Sequence, residues 1–459
     1  MKTRDASVAS HDVIIVGAGP AGLSAARTTA RLGFSTLLLE RMPAAGYQAQ
    51  PCSAIIAPVP GLLKGRRLLG DLFYPQLDLV IPSALVVGYP RLHRFISPGG
   101  YEVAAPFARG DGSPVAAVDR AGLLQMLAEQ AGSAGAEIRY GVDVTGPIDE
   151  GDRIVGVRTP SGEFRAPLVM SAEGGARRLM RAAGLYEPGA AAGCHALVVT
   201  RELEAPAVRR HQLGQITTFG RSYTSARAGF GTVVMPLPGR ATVSFTLLAD
   251  GMGYHTPGSA AFYLDEYIQE DPRVRGLLAG STCVLQSTCR IAIDDGPDRV
   301  ARDGFLGLGD AATPAAHVGV LPAMYLGRRA ALAAAEALDA DDVSCARLGA
   351  FGKMFHARLG RVLRVERQMM LSLAGMADAE LDDLAQALAR LPFSAPFFGG
   401  WQGMPWEGAR WLEKRYPART YQSDLLQRIV DQEVGQAGEG LLPPPGLWSF
   451  AVQPGAATQ

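Results

Sequence analysis

Three glycines followed by one acid carry the clearest chemical signal in this sequence. Gly17, Gly19 and Gly22 come after a short apolar run, and Glu40 ends the next apolar run. In this pattern the first glycine permits a tight turn, the second lets the backbone approach a pyrophosphate, and the third lets a helix pack closely on a strand. An acid about 20 residues further on accepts hydrogen bonds from ribose hydroxyls. The pattern therefore predicts a dinucleotide site.

A second acid, Asp310, also follows a buried-strand pattern. The run "DGFLGLGDAA" ends in the pair Gly309 and Asp310, and the chain then opens a helix. Asp310 either binds a ligand or caps this helix, since aspartate is a good N-cap. His317, in the intervening loop, either donates a proton or orients a substrate, because imidazole titrates near neutral pH, or it packs there for shape alone.

Charge and cysteine content exclude several classes of protein. Lys plus Arg and Asp plus Glu each number 44, so no overall charge recruits nucleic acid. The five cysteines form no CxxC pair and no metal-ligand cluster, which argues against a metal site or a disulfide framework and favours a reducing cytoplasm. No apolar run reaches the roughly 18 residues of a membrane span. We expect a cytoplasmic protein with at most peripheral membrane contact.

Apolar periodicity predicts the elements that position these residues. Residues 12–40 predict a strand, a helix and a second strand, which is a βαβ unit. Two later stretches, within residues 117–185 and 303–312, again have the apolar pattern of buried strands, so we expect separated pieces of the chain to complete one sheet. Alternating runs between about 185 and 286 predict an antiparallel sheet, and helical patterns follow residue 345.

The order of the motifs "GAGPAG…E", "RAGL", "SAEGG" and "GDAATPAAHVGVLPAMYLG" resembles the FAD-binding core of glutathione-reductase-type flavoproteins with the p-hydroxybenzoate hydroxylase fold. The resemblance covers most of residues 10–340 and implies FAD as the cofactor. It places Asp310 at the ribitol hydroxyls and Arg120 at the diphosphate. It implies that the loop 314–323 aims N–H groups at the flavin ring. The implied cofactor-binding residues are Gly17, Gly19, Pro20, Ala21, Gly22, Glu40, Arg41, Arg120, Glu173, Gly309, Asp310, Val318, Gly319 and Val320.

Two positions depart from the family pattern. His317 stands where the pattern has a glycine, and Glu173 stands where many members have an aspartate that seats FAD and, in hydroxylases, the nicotinamide cofactor. The electron donor therefore stays open between NADPH or NADH and a redox protein.

The segment "ERMPAAGYQAQPCSAII" resembles the geranylgeranyl reductase branch of this family, in which a cysteine lies over the flavin. That resemblance makes Cys52 a second candidate catalytic residue beside His317. The alternative for Cys52 is a buried small apolar side chain.

The predicted fold class is α/β, with a Rossmann-type FAD-binding domain that contains a parallel sheet, helices and a β-meander. An antiparallel-sheet substrate domain and a helical C-terminal extension complete it. The predicted boundaries are 1–60, 105–185 and 287–345 for the FAD domain, 61–104 and 186–286 for the substrate domain, and 346–459 for the helical region.

The resemblance implies an FAD-dependent oxidoreductase that acts on an apolar or aromatic substrate. The favoured reaction is reduction or dehydrogenation of a carbon-carbon bond by hydride transfer at flavin N5. The alternative is an FAD-dependent aromatic hydroxylase, a monooxygenase. A third hypothesis, a prenyl-binding carrier with the same fold, would involve no flavin chemistry.

Overall fold

The structure is a computed structural model. It describes residues 11–46, 55–58, 62–106, 113–187, 195–219, 229–249, 257–292, 296–313, 319–355, 360, 363 and 376–389.

The described chain contains strands in five sheets and helices on several of their faces. The strands are β1 (Val13–Val16), β2 (Thr36–Glu40), β3 (Ile55–Ile56), β4 (Arg66–Leu68), β5 (Asp71–Tyr74), β6 (Leu79–Ile81), β7 (Val86–Gly88), β8 (Leu92–Ile96), β9 (Glu102–Pro106), β10 (Ala116–Val118), β11 (Glu137–Tyr140), β12 (Gly146–Glu150), β13 (Arg153–Thr159), β14 (Gly162–Arg165), β15 (Leu168–Ser171), β16 (His195–Ala205), β17 (Gly214–Phe219), β18 (Gly229–Met235), β19 (Gly239–Ala249), β20 (Thr282–Ala292), β21 (Ala301–Arg302) and β22 (Phe305–Gly307). The helices are α1 (Pro20–Arg31), α2 (Arg120–Ser133), α3 (Arg178–Ala182), α4 (Pro257–Glu270), α5 (Pro272–Leu277), α6 (Val320–Asp339), α7 (Cys345–Phe355) and α8 (Asp378–Ala389).

A six-stranded sheet in the order β11-β2-β1-β15-β22-β21 forms the centre of the structure. Its first five strands are parallel, and β21 adds to the edge as an antiparallel hairpin partner of β22. The strands β1 and β15 are buried at every position. Continuous apolar runs are typical of parallel strands that are covered on both faces. The βαβ unit and the return of later segments to one sheet are confirmed.

Helices cover one face of the parallel sheet, and a three-stranded meander covers the other. On the first face, Ile15 and Leu38 share a buried cluster with Leu23 of α1 and Leu326 of α6. On the second face, Ile14 and Val169 pack with residues of β13 and β14. The predicted fold class, with its parallel sheet and meander, is confirmed.

A seven-stranded sheet, β20-β16-β19-β18-β17-β8-β9, forms the second large layer. Val199 of β16 and Phe245 of β19 are register partners and lie on its apolar face, which packs against α4 and α5. The next pair along, Thr200 and Ser244, points the other way, and their hydroxyl oxygens lie 2.8 Å apart. The sheet therefore has one apolar face and one face that carries hydroxyl groups.

Helix α8 covers the outer edge of that sheet. The Asp382 carboxylate accepts hydrogen bonds from the Ser97 hydroxyl and the Gly99 N–H, each at 2.6 Å, in the turn between β8 and β9. A covered edge strand offers no free pairing groups to another chain.

In the described part of the chain, no helix has both the length and the apolar character that a membrane crossing requires.

A small sheet of β4, β5 and β6 packs on the helical layer of the parallel sheet. Arg27 of α1, which is 3% exposed, holds it in place: its guanidinium donates to the carbonyl oxygens of Leu77 (3.0 Å) and Asp78 (2.5 Å) and to Gln130 (2.7 Å). Burial is the largest cause that lowers the pKa of Arg27 below its usual value. Because both terminal nitrogens have partners, the buried cation ties three segments together.

Helices α1 and α6 cross at Ala21, almost backbone to backbone. A Cβ added at Gly327 would lie 2.1 Å from the Ala21 carbonyl oxygen, and one added at Gly309 would lie 2.8 Å from the Ala21 Cβ. The Ser24 hydroxyl donates to the Met324 carbonyl oxygen at 2.9 Å across the same contact. Glycine at position 327 therefore sets the distance between the two helices.

We expect Gly327→Ala to lower the free energy of unfolding by about 3 kcal/mol, because the new methyl group forces the two backbones apart. Gly349→Ala is the matched control, since Gly349 also lies inside a helix but has no atom within 4 Å of an added Cβ. That substitution should stabilise the protein by about 0.5–1 kcal/mol. Urea unfolding followed by circular dichroism measures both. Equal effects of the two substitutions would contradict the close crossing.

Candidate flavin-binding site

The glycine turn between β1 and α1 is shaped by its neighbours. Gly17 has φ +107°, and a Cβ there would lie 2.4 Å from the Ala172 carbonyl oxygen. A Cβ at Gly22 would lie 1.9 Å from the Gly17 carbonyl oxygen. Both positions therefore require glycine for backbone packing, before any ligand is considered.

Gly19 differs from the other two glycines. An added Cβ would meet nothing within 4 Å, and Gly19 is the N-cap of α1 with no side-chain hydrogen bond to the helix start. Pro20 follows at the first helical position, where a missing N–H costs nothing. The open space lies in front of a helix N-terminus, which has free N–H groups and a partial positive charge. This arrangement suits a pyrophosphate group.

Glu40 lies directly beside the turn. One carboxylate oxygen accepts the Ala18 N–H at 2.6 Å, and the other accepts the Met42 N–H at 2.8 Å. These two bonds fix the carboxylate at the carboxyl end of β2, while Arg41 next to it is exposed. Each carboxylate oxygen keeps a second acceptor site, so Glu40 can still bind a hydroxyl group.

The pair Gly309–Asp310 lies at the carboxyl end of β22, on the same edge of the sheet as the glycine turn. Gly309 has φ +60° and lies against Ala21, as described above. Asp310 is half-buried, and the chain then reaches Gly319, which has φ +80° and is the N-cap of α6. The structure thus brings together Ala21, Gly309 and Asp310, which are almost 300 residues apart in the chain. Val320, the first residue of α6, is buried.

Arg120 begins α2, whose N-cap Asp119 accepts the Gly122 N–H at 3.1 Å. The segment after Arg41 packs on this helix start, because a Cβ at Gly46 would lie 2.7 Å from the Ala121 carbonyl oxygen. Arg120 is half-buried there. His317, Val318 and Cys52 lie outside the described residues, so the two catalytic candidates stay predictions.

The carboxylate of Glu173 caps the short helix α3. One oxygen accepts N–H groups of Leu179 (2.7 Å) and Met180 (3.2 Å) and the hydroxyl of Ser171 (3.2 Å). Burial raises the pKa of Glu173 above its usual value, and these hydrogen bonds offset part of that rise. The hydrogen bonds described for Glu173 are therefore with α3 and with Ser171 at the end of β15. A role of Glu173 in FAD binding stays a prediction.

Arg177 is a buried cation that sequence reasoning missed. It is 0% exposed, and its guanidinium donates to the carbonyl oxygens of Thr313 and, at 3.4 Å, of Asp310. The guanidinium carbon also lies 4.8 Å from the centre of the Tyr186 ring. Arg177 thus holds the backbone of the loop that carries Asp310. The sequence "GGARRLM" offers no signal for it, because the neighbouring Arg178 is exposed and pairs with Asp143 at 2.7 Å.

Arg177→Ala should release the loop and leave two carbonyl oxygens without their donor, at a cost of about 2–3 kcal/mol in the free energy of unfolding. We expect the purified variant to hold less FAD than the wild type, measured as the ratio of visible to ultraviolet absorbance. Arg178→Ala is the control, since an exposed ion pair contributes less than about 1 kcal/mol. Equal flavin content in the two variants would show that Arg177 does not position the loop.

The raised pKa of Glu173 gives a dependence of stability on pH. The folded protein binds the Glu173 proton more tightly than the unfolded chain, whose carboxyl has a pKa near 4.5. The resulting stabilisation is present below that pKa and is lost as the pH rises through the folded value. Glu173→Gln should remove this loss while keeping an oxygen to cap α3. We expect the stability of the wild type relative to Glu173→Gln to fall as the pH rises from about 4. A constant difference across this range would contradict the buried carboxyl.

The geometry as a whole fits FAD. The open helix start at Gly19, the fixed carboxylate of Glu40 and the half-buried Asp310 share one edge of the parallel sheet. Ligands of open α/β sheets bind at the carboxyl ends of the strands, where these three groups lie.

Comparison with known proteins agrees with this geometry. Residues 12–197 match a family model described as "FAD dependent oxidoreductase". The digeranylgeranylglycerophospholipid reductase of Methanoculleus marisnigri is 26% identical over 400 residues, which cover 83% of this chain and 91% of the relative.

Two solved structures share the fold. A geranylgeranyl bacteriochlorophyll reductase-like protein from Thermoplasma acidophilum has a TM-score of 0.74 at 20% identity, covering 92% of this chain and 100% of that one. The halogenase PltM in complex with phloroglucinol and FAD has a TM-score of 0.59 at 13% identity, covering 93% and 96%. The predicted resemblance and the cofactor FAD are confirmed. The protein is thus an FAD-dependent oxidoreductase that is similar in sequence and fold to the geranylgeranyl reductases.

Proposed function

We propose that this protein reduces carbon-carbon double bonds in the apolar chain of a polyprenyl lipid. One observation carries the proposal. The chain aligns over 83% of its length with a digeranylgeranylglycerophospholipid reductase and also keeps the elements of a dinucleotide site at one sheet edge. The cysteine pattern favours the cytoplasm as its compartment.

The residues of this edge would hold FAD. N–H groups of the turn at Gly19 bind the pyrophosphate, and Arg120 supplies a positive charge to the same group. Glu40 accepts a hydrogen bond from the adenosine ribose, and Asp310 accepts one from the ribitol chain. The N-terminus of α6, which begins after Gly319, favours negative charge on the flavin ring.

Bound FAD supplies a hydride donor in its reduced form. Reduction of a double bond needs one hydride and one proton, so the protein must provide an acid at the second carbon. His317 and Cys52 are the predicted acids. NADPH, NADH or a redox protein supplies the two electrons for each turnover.

The hydroxyl face of the seven-stranded sheet supports a substrate with a polar part as well as an apolar chain. On this face the His93 imidazole lies 3.0 Å from the Thr217 hydroxyl, and Gln215 lies 3.4 Å from the same ring. Thr200 and Ser244 continue the row. These groups bond to one another, and their further donor and acceptor sites can bind the oxygen atoms of a lipid headgroup.

The test uses anaerobic protein whose FAD has been reduced chemically. A geranylgeranyl lipid should restore the absorbance of oxidised flavin, whereas the fully saturated lipid, which has no double bond to accept a hydride, should not. Asp310→Ala should lose flavin affinity by about tenfold or more, because it removes a hydrogen bond to a charged group. Asp152→Ala, an exposed acid elsewhere, is the matched control.

Two results would overturn the proposal. One is flavin that the unsaturated lipid leaves reduced, and the other is rapid oxygen uptake with an aromatic compound in place of the lipid. The second result would establish the hydroxylase alternative.

A further inference from the structure

The hairpin of β4 and β5 exposes apolar side chains at its end. Leu68 is 67% exposed and Leu69 is 97% exposed, and these two residues with Gly70 are called the hairpin tip below. Behind the tip, Phe73 of β5 and its register partner Val80 of β6 are 37% and 45% exposed. Apolar residues that lie together on a surface mark an interaction site more often than single exposed ones.

Leu69 has a backbone conformation that leucine rarely adopts. Leu68 pairs with Asp71, so Leu69 and Gly70 form a two-residue turn, with φ +51° and +99°. Such turns favour asparagine or glycine at the first of these positions. A leucine in the left-handed region costs roughly 1–2 kcal/mol. The hairpin thus presents an apolar side chain at its most exposed point, where folding alone would favour a polar one.

Basic residues flank the tip. Lys64, Arg66 and Arg67 are exposed, and the sequence has no acid from Arg41 to Gly70. Of the nearby acids, Asp78 pairs with Arg31 at 2.5 Å, whereas Asp71 accepts the Ser83 N–H at 2.7 Å and keeps its single negative charge, which the cations outnumber. The surface around the tip therefore has a net positive charge, which suits anionic headgroups.

The rest of the small sheet holds the tip rigidly away from the core. Leu72 and Tyr74 of β5 and Ile81 of β6 are buried on its inner face, whereas all three residues of β4 are exposed. Arg27 anchors the far end of this sheet, as described above. The hairpin is therefore a fixed, protruding element that needs no rearrangement to meet a surface.

We propose that the hairpin tip inserts into the interfacial region of an anionic lipid membrane, with Lys64 and Arg66 on the headgroups. A bilayer accepts protruding leucines without a matching pocket, and its anionic headgroups complement these two cations. The inference goes beyond the proposed reaction, because membrane docking by this hairpin would hold for any substrate.

The test is co-sedimentation of the full FAD-loaded protein with vesicles. We expect binding to vesicles of phosphatidylcholine with about one-third phosphatidylglycerol, and weaker binding to phosphatidylcholine alone. Leu69→Asn should weaken binding to the mixed vesicles by about tenfold, because a leucine side chain no longer leaves water. The same change should leave the melting temperature equal or higher, since asparagine suits the turn. Arg66→Gln should weaken binding by about fivefold, and only on the anionic vesicles.

Val284→Asn is the matched control, since Val284 is 60% exposed in β20 of the seven-stranded sheet. This variant should bind the vesicles as the wild type does. Three results would overturn the proposal: no binding to either vesicle, equal loss of binding in Val284→Asn and Leu69→Asn, or full binding by Leu69→Asn. Self-association of the wild type that Leu69→Asn abolishes, without vesicle binding, would instead assign the tip to a second copy of the chain.

Discussion

The contact of two helix backbones at Ala21 is the constraint on which the candidate site depends. Gly327 lets α6 approach the Ala21 carbonyl group, and Gly309 lets the loop before α6 approach the Ala21 side chain. Because α1 begins at the glycine turn, this crossing fixes where the loop of Asp310 lies relative to that turn. A cofactor that spans both ends of a sheet edge needs this distance to be constant, and close-packed backbones hold distances better than side chains do.

Buried charged side chains position further segments of the chain around this crossing. Arg177 joins the chain after β15 to the loop that carries Asp310, and Glu173 fixes the start of α3 a few residues earlier. On the helical layer, Arg27 holds the small sheet in place by donating to the Leu77 carbonyl oxygen. Each of these groups bonds mainly to backbone atoms, so each positions a segment of chain rather than a single side chain. A buried charge of this kind stabilises only when its hydrogen bonds are complete.

The sequence predicts those parts of the site that depend on local geometry. Gly17 and Gly22 are recognisable because a tight turn and a close helix require glycine at fixed spacing, and the run before Asp310 has the apolar pattern of a buried strand. Arg177 was not predictable, because its burial depends on segments more than 130 residues away. The capping of α3 by Glu173 is a local contact, but it was not predicted because the motif "SAEGG" suggested a ligand contact instead. The tip at Leu69 also escapes a pattern search, because leucine is not a typical turn residue.

The parts of the site lie far apart in the chain, so they become available at different times during synthesis. Strand β1 and the glycine turn are complete by Gly22, but strand β15, which pairs with β1, follows about 150 residues later, and helix α6, which packs on α1, follows about 300 residues later. At synthesis rates of about 5–20 residues per second, the ribosome needs on the order of tens of seconds to supply them. Throughout that time the early βαβ unit lacks helix α6, which covers α1 in the folded protein. FAD can therefore join the finished edge only late in synthesis, and the nascent chain must keep β1 and β15 from wrong partners until then.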